Sequence, residues 1–183
     1  MVSFKALVSA AFAFGLISVA QAAPQDVVKR ASPSKQVWIT SASDHCIILP
    51  KSKQTIGDSE HPGGMRSFCT KPYSSEQGKL NSGFWTEVHF KKTKKYAQLT
   101  GCINPKVQST LVSNDDGGQY DSNGGDGGRG NPAGSVCLGY ASYVELIEPK
   151  QRRACIRCCV NAGDCNIGND EDGCEQVIKG QYC

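Results

Sequence analysis

Apolar and polar positions alternate in several short stretches of the chain, and the longer runs between them are polar. Gln36-Val37-Trp38-Ile39-Thr40 alternates and is rich in β-forming residues. Ser41 to Asp44 reads as a turn, and Cys46-Ile47-Ile48-Leu49 before Pro50 as a returning strand, which together predict a hairpin. The clearest strand pair lies between Gly83 and Gly101. There Thr86, Val88 and Phe90 fall on one face and Trp85, Glu87 and His89 on the other, because side chains alternate along a strand. Lys91-Lys92-Thr93-Lys94-Lys95 makes the expected turn before Tyr96 to Thr100 returns. Lys106 to Val112 reads as another strand, and Val136 to Ile147 alternates again and re-enters the sheet. Ser113 to Gly134 is rich in glycine and aspartate and has no apolar period, so a long loop is expected there. Pro149, with Glu148 ahead of it, predicts a helix over Lys150 to Val160 that ends near Gly163. The fold class is mainly β, a small sheet or sandwich of short antiparallel strands, with a short C-terminal helix pinned by disulfides.

The last thirty residues change this picture most. Six of the ten cysteines stand there, Cys155, Cys158, Cys159, Cys165, Cys174 and Cys183, among glycine, asparagine and aspartate. So few large apolar groups cannot fix a shape by burial alone, and cross-links must supply what a core would. On the expected helix Cys155, Cys158 and Cys159 occupy positions i, i+3 and i+4 and would share one face.

The N-terminus decides between metal and disulfide. Lys5, the uncharged apolar run Ala6 to Val19 and the small-x-small triplet Ala20-Gln21-Ala22 have the layout of a secretory signal, cleaved after Ala22. The apolar run is short of the ~20 residues that a membrane span needs. Residues 23 to 30 form a polar leader ending in Lys29-Arg30, the type of pair that secretory-pathway proteases cut. The mature chain is then a single disulfide-stabilised domain, residues 31 to 183, with a cysteine-rich C-terminal part from 145 to 183. An even cysteine count in an oxidising compartment predicts a full bridge set over Cys46, Cys69, Cys102, Cys137, Cys155, Cys158, Cys159, Cys165, Cys174 and Cys183. Pairing cannot be deduced from sequence; Cys46–Cys69, Cys102–Cys137 and pairing of the last six among themselves is the working expectation.

Charge narrows the partners. The full chain has 20 Lys+Arg and 17 Asp+Glu, and residues 31 to 183 keep 17 and 16 of them. So balanced a surface gives no general pull toward nucleic acid or an anionic membrane. The four lysines between Lys91 and Lys95 read as a solvated hairpin tip that discourages edge pairing, with an acidic docking patch as the alternative. No Asn-x-Ser/Thr acceptor occurs.

Candidate chemistry is sparse. Cys155-x-x-Cys158 has zinc-ligand spacing, but ten cysteines outside the cell favour bridges over thiolates. Gly168 to Gly173 resembles a calcium loop only in its glycine, because an EF-hand frame puts Gly168 at position 1 and Lys179 at position 12. The loop aspartates Asp115, Asp116, Asp121 and Asp126 offer oxygen but no ligand spacing. No catalytic signature surrounds His45, His61 or His89, and the carboxylate pairs Asp58/Glu60 and Glu145/Glu148 carry no distinguishing pattern. No catalytic residue, cofactor or metal is assigned.

Several short strings stand out together: Val37-Trp38-Ile39-Thr40-Ser41 with Asp44 and Cys46, Ile56-Gly57-Asp58-Ser59-Glu60, Cys69-Thr70-Lys71-Pro72, Leu99-Thr100-Gly101, Asp116-Gly117-Gly118-Gln119-Tyr120-Asp121 and Gly130-Asn131-Pro132. Cys155-x-x-Cys158-Cys159, Asp164-Cys165-Asn166, Gly173-Cys174 and Gly180-Gln181-Tyr182 complete the set. With these strings the chain resembles a family of small secreted cysteine-rich fungal proteins that includes macrophage-activating-glycoprotein-like members. The resemblance implies an extracellular fungal protein that meets a host or the fungus's own wall. The expected function is therefore non-enzymatic, effector-like action at the fungus–host interface, by a monomer whose partner is a host protein or wall polysaccharide. A wall-associated carbohydrate-binding protein is the alternative, with Trp38, Trp85, Tyr73 or Tyr120 stacking on sugar rings. A hydrolase, or a hydrolase inhibitor docking its 51–64 loop, is the second alternative.

Overall fold

The structure, a computed structural model, describes residues 31–169 and 171–183. Ala22, Lys29 and Arg30, and with them the expected leader, lie outside the described residues. Two five-stranded sheets share one hydrophobic core, and the C-terminal segment covers the outer face of the second sheet. Among the described residues no helix is long and apolar enough to cross a membrane.

The first sheet is built on the predicted hairpin, β1 (Gln36–Ser41) and β2 (Asp44–Pro50). β3 (Met65–Cys69) adds antiparallel to β2, and the short strands β4 (Gly78–Lys79) and β8 (Val136–Cys137) close the edges in parallel. Val37 and Ile39 are buried while Trp38 and Thr40 between them reach the surface, as their alternation predicts. The second sheet runs in the order β5 (Trp85–Lys92), β6 (Tyr96–Ile103), β10 (Arg153–Cys159), β9 (Ser142–Glu148), β7 (Gly118–Asp121), antiparallel throughout. Its inner positions Ala97, Leu99, Tyr143, Ile147, Ala154 and Ile156 pack against Val37, Ile39, Ile47 and Phe68 of the first sheet. Its outer positions Val144, Leu146, Cys155 and Cys159 lie with Cys165, Cys174, Val177 and Ile178. Both faces of the second sheet are thus covered, one by a sheet and one by a cysteine-rich tail.

Five bridges involve all ten cysteines. Cys46–Cys69 joins directly opposed positions of β2 and β3, as the sequence reading paired them. The expected Cys102–Cys137 bridge is absent. Cys102 lies at the end of β6 and bonds Cys183, while Cys137 in β8 bonds Cys158 in β10 and links the two sheets. Cys155–Cys174 and Cys159–Cys165 tie the tail down, so only four of the last six cysteines pair among themselves.

The expected helix over 150–160 is instead strand β10. Pro149 stands in the hairpin turn after β9, where Arg152 N–H donates to the Pro149 carbonyl (3.1 Å) and Arg152 takes a left-handed φ of 57°. Pleating sends Cys155 and Cys159 outward to the tail and Cys158 inward to β8, so the three thiols do not share a face. Among the described residues the one α-helix is a single turn further on, α1 (Cys174–Val177), pinned at Cys174. Lys106 to Val112 is not a strand: Pro105–Val107 winds into a 3-10 turn, and Leu111 alone bridges Gln54. The expected loop 113–134 contains β7, whose Tyr120 is fully buried. Lys91 and Lys92 belong to β5, leaving Thr93 to Lys95 as the tip.

A bridge stabilises mainly by restricting the unfolded chain, more for longer loops. Replacing Cys137 and Cys158 with alanine opens a separation of 21 residues, against 6 for Cys159 and Cys165. The first pair is expected to cost about 3 kcal/mol and the second about 2 kcal/mol. Urea denaturation of the two double variants checks the order; equal losses would show that the inter-sheet link is not special.

Candidate functional site

The histidines and carboxylates that could do chemistry are dispersed. His45 is fully buried on the inner face of β2, where its Nε2 accepts the indole N–H of Trp85 (3.0 Å). Its Nδ1 lies near the carbonyls of Ser41 and Ala42 without a well-formed hydrogen bond. Burial pulls its pKa down to about 4. His89 pairs with Glu87 on exposed β5 (2.9 Å), and His61 is exposed in the loop before β3.

Glu145 and Glu148 do not converge, since an odd spacing puts them on opposite faces of β9. Glu145 points inward, fully buried, and both its oxygens accept from Ile48 N–H (3.0 and 2.9 Å). That donor lies beyond the part of β2 that β1 pairs, which ends at Cys46 opposite Trp38, so the carboxyl takes the place of a missing strand. Burial pushes its pKa well above the carboxylate range. Glu148 instead meets Arg153 Nε (3.2 Å), whose Nη1 reaches Glu175 on α1 (2.8 Å). Asp58 and Glu60 are both exposed, on the 51–64 loop.

Three of the loop aspartates are engaged, two by backbone amides and one by a lysine. Asp115 accepts from Ile56 N–H (2.7 Å) and Gly117 N–H (3.1 Å), Asp121 accepts from Asn123 N–H (2.8 Å) and Gly124 N–H, and Asp116 pairs with Lys150 (2.7 Å). Among the described residues no three His, Cys, Asp or Glu side chains gather as a metal-binding group. Two of the short strings singled out in the sequence clasp each other here. Ser59 Oγ and the buried Tyr120 hydroxyl share a hydrogen bond of 2.6 Å, and a side chain at Gly118 would run into Ile56. Tyr120 is therefore unavailable to a ligand, and Trp85 is half-buried against His45 and Phe84.

Two surface features remain, both touching the loop after β3. One is a pair of rings: half-buried Trp38 on β1 and Tyr73, 61% exposed, lie 5.9 Å apart between centroids with a 32° tilt. Each ring is tied at its polar end. Trp38 Nε1–H donates to Asp44 Oδ1 (3.2 Å), and the Tyr73 hydroxyl donates to Oε1 of buried Gln36. The other is a cleft of about 600 Å³ lined by Lys35, Lys51, Arg66, Glu60, Glu76 and His61, among others. Lys35 Nζ donates to the Ala133 carbonyl (2.7 Å), and the Arg66 guanidinium lies 5.1 Å over the Phe68 ring with its Nε unbonded. Met65, Pro62 and Pro132 line it beside these charged groups. Trp38 and Tyr73 are both candidate stacking rings in the sequence, but their contact is not legible there, because 35 residues separate them.

What the architecture defines is a class: a disulfide-stitched protein of two stacked sheets with a cysteine-rich cover. No protein-family model matches the chain, and no solved structure matches it. Among curated proteins it is similar to the appressorium protein ROW1 of Mycosarcoma maydis, with 27% identity over 164 residues. That alignment covers 82% of this chain and 38% of the relative, so the chain spans well under half of the relative's length. A distant fungal relative and five disulfides fit a cysteine-rich fungal protein.

The two buried groups give opposite pH slopes. For His45 the unfolded chain binds the extra proton between about pH 4 and 6.5, so its contribution is complete above 6.5 and is lost as pH falls toward 4. For Glu145 the folded chain keeps a proton above pH 4.5, so its contribution is complete below 4.5 and is lost as pH rises. The slopes oppose each other between about pH 4.5 and 6.5, where His45 makes stability rise with pH and Glu145 makes it fall. Glu145→Gln, which cannot ionise, is expected to remove the falling part and leave stability rising more steeply with pH across that span. Urea midpoints at the two ends of the span check this; an unchanged slope would place the carboxylate, charged, in the folded core.

Proposed function

We propose that this is a secreted, non-catalytic protein that acts outside the fungal cell at the surface of contact with a host. The observation that carries the reading is the complete bridging of ten cysteines, three of whose bridges fasten a tail too poor in apolar groups to hold itself. Such a design keeps its shape where thiols stay oxidised and proteases are present. The similarity to an appressorium protein supports placing its work at the infection structure, and so a virulence-related role. The scattered titratable groups support binding over catalysis: His45 and Glu145, the most perturbed candidates, are both buried away from solvent. The short strings listed above support kinship with the macrophage-activating-glycoprotein-like proteins.

The test is location. With a fluorescent tag after Cys183, the full chain is expected to leave the cell through the secretory pathway and collect at the infection structure. Deleting the gene is expected to reduce host penetration and leave growth in culture unchanged. Retention of the tagged protein in the cytosol would sink the reading.

A further inference from the structure

We propose that Trp38 and Tyr73 form a stacking platform for a neutral β-linked pyranose chain, of the glucan or N-acetylglucosamine type. The inference rests on the extracellular reading above and supplies the ligand class that reading leaves open.

Three observations carry it. The first is preorganisation. An exposed tyrosine ordinarily keeps its hydroxyl in water and its ring free to turn, but this one is anchored to Gln36, which is itself 8% exposed and fixed through its Nε2–H to the Ala31 carbonyl (2.7 Å). The backbone N–H of Tyr73 also donates to Gln77 Oε1 (3.0 Å). With both polar tips satisfied, what the pair offers a ligand is ring face. Ordering cost has been met before binding, which is what raises affinity at such sites.

The second is the pattern around the rings. Thr40, Ser41, Ser43 and Asp44 on the β1–β2 hairpin and Ser74, next to Tyr73 on the loop after β3, supply hydroxyl and carboxylate groups near the rings. A flat pyranose with equatorial hydroxyls shows apolar C–H faces and a polar rim. Its face suits the electron-rich ring surface, and its rim suits these short polar side chains.

The third speaks against a protein partner. Among the described residues only Tyr73, Phe90 and Val160 are large, apolar and exposed, and the other two belong to the second sheet and the end of β10. A protein-binding centre needs a contiguous desolvated patch around its aromatic anchor. Here Tyr73 stands with Trp38 alone in a polar field.

The experiment uses the secreted, fully oxidised protein with insoluble chitin, cellulose and β-1,3-glucan in pull-down assays. Soluble oligomers of each follow, titrated against tryptophan fluorescence. Retention on at least one polymer is expected, and the polymer that retains it identifies the sugar. Tyr73→Ala is expected to weaken binding about tenfold, equivalent to ~1.4 kcal/mol. Tyr73→Phe, which keeps the ring and loses its anchor to Gln36, should fall between wild type and Tyr73→Ala. Trp38→Ala should abolish the fluorescence change as well as retention. Because Tyr73 lies outside the core, its alanine variant is expected to melt with wild type, and this keeps the test informative if Trp38→Ala is destabilised. No retention on any of the three polymers overturns the proposal, as does retention that both alanine variants leave unchanged. Correct localisation without glycan retention defeats this inference alone; cytosolic retention defeats the extracellular reading and leaves the binding result standing.

Discussion

The seam between the two sheets is where the fold is decided. The first sheet brings edges that are two residues long, and β1 stops pairing with β2 before the apolar run Ile47 to Leu49 begins. Ile48 N–H is therefore left facing the interior with no strand to receive it, and such a donor is costly in a dry core. Glu145, reaching across from β9, accepts it. Beside this hydrogen bond the Cys137–Cys158 bridge fixes β8 against β10, and His45 meets Trp85. One polar contact, one covalent link and one ring pair thus hold two layers that a modest apolar core would hold less securely. Because burial raises the pKa of the accepting carboxyl, the seam also makes the fold responsive to pH.

The second sheet carries the rest. Its inner face is covered by the first sheet, and its outer face by the segment from Val160 to Cys183, which contributes one helical turn and little regular structure. Hydrogen bonds reinforce the covering: Gln98 to the Lys179 carbonyl (3.0 Å), Gln119 to the Ile167 carbonyl (2.9 Å) and the Tyr182 hydroxyl to the Ile178 carbonyl (2.7 Å). Sulfur and side-chain amides do here what a packed helix does in larger proteins. On the first sheet Trp38 reaches the surface beside Tyr73 of the loop after β3.

Much of this was legible in the residues. Both hairpins announced themselves by alternation, and the need for cross-links followed from the composition of the tail. Where the reading failed, two structures fitted one pattern. Cys155, Cys158 and Cys159 satisfy a helical face as easily as a pleat, and Pro149 serves a hairpin turn as well as a first helical turn. Packing chose the strand, since β10 pairs on both sides with β6 and β9. Gly118 to Asp121 reads as loop in the sequence because a four-residue strand with one apolar side chain has no period to detect; the neighbouring β9 defines it. The ring pair was half visible, its members without their contact. Glu145 gave no signal at all, because a buried acid is written in sequence like an exposed one.

The pleat of β10 has a consequence for how the thiols find their partners. Ten cysteines can pair in roughly 900 ways, counted as for eight. Once β10 lies between β6 and β9, its three sulfurs are dealt to opposite sides, Cys158 toward one layer and Cys155 and Cys159 toward the other. A bridge cannot form across the sheet between groups that point apart. The pleat of one central strand thus fixes which side of the sheet each of its sulfurs can serve, and the observed bridges follow that division.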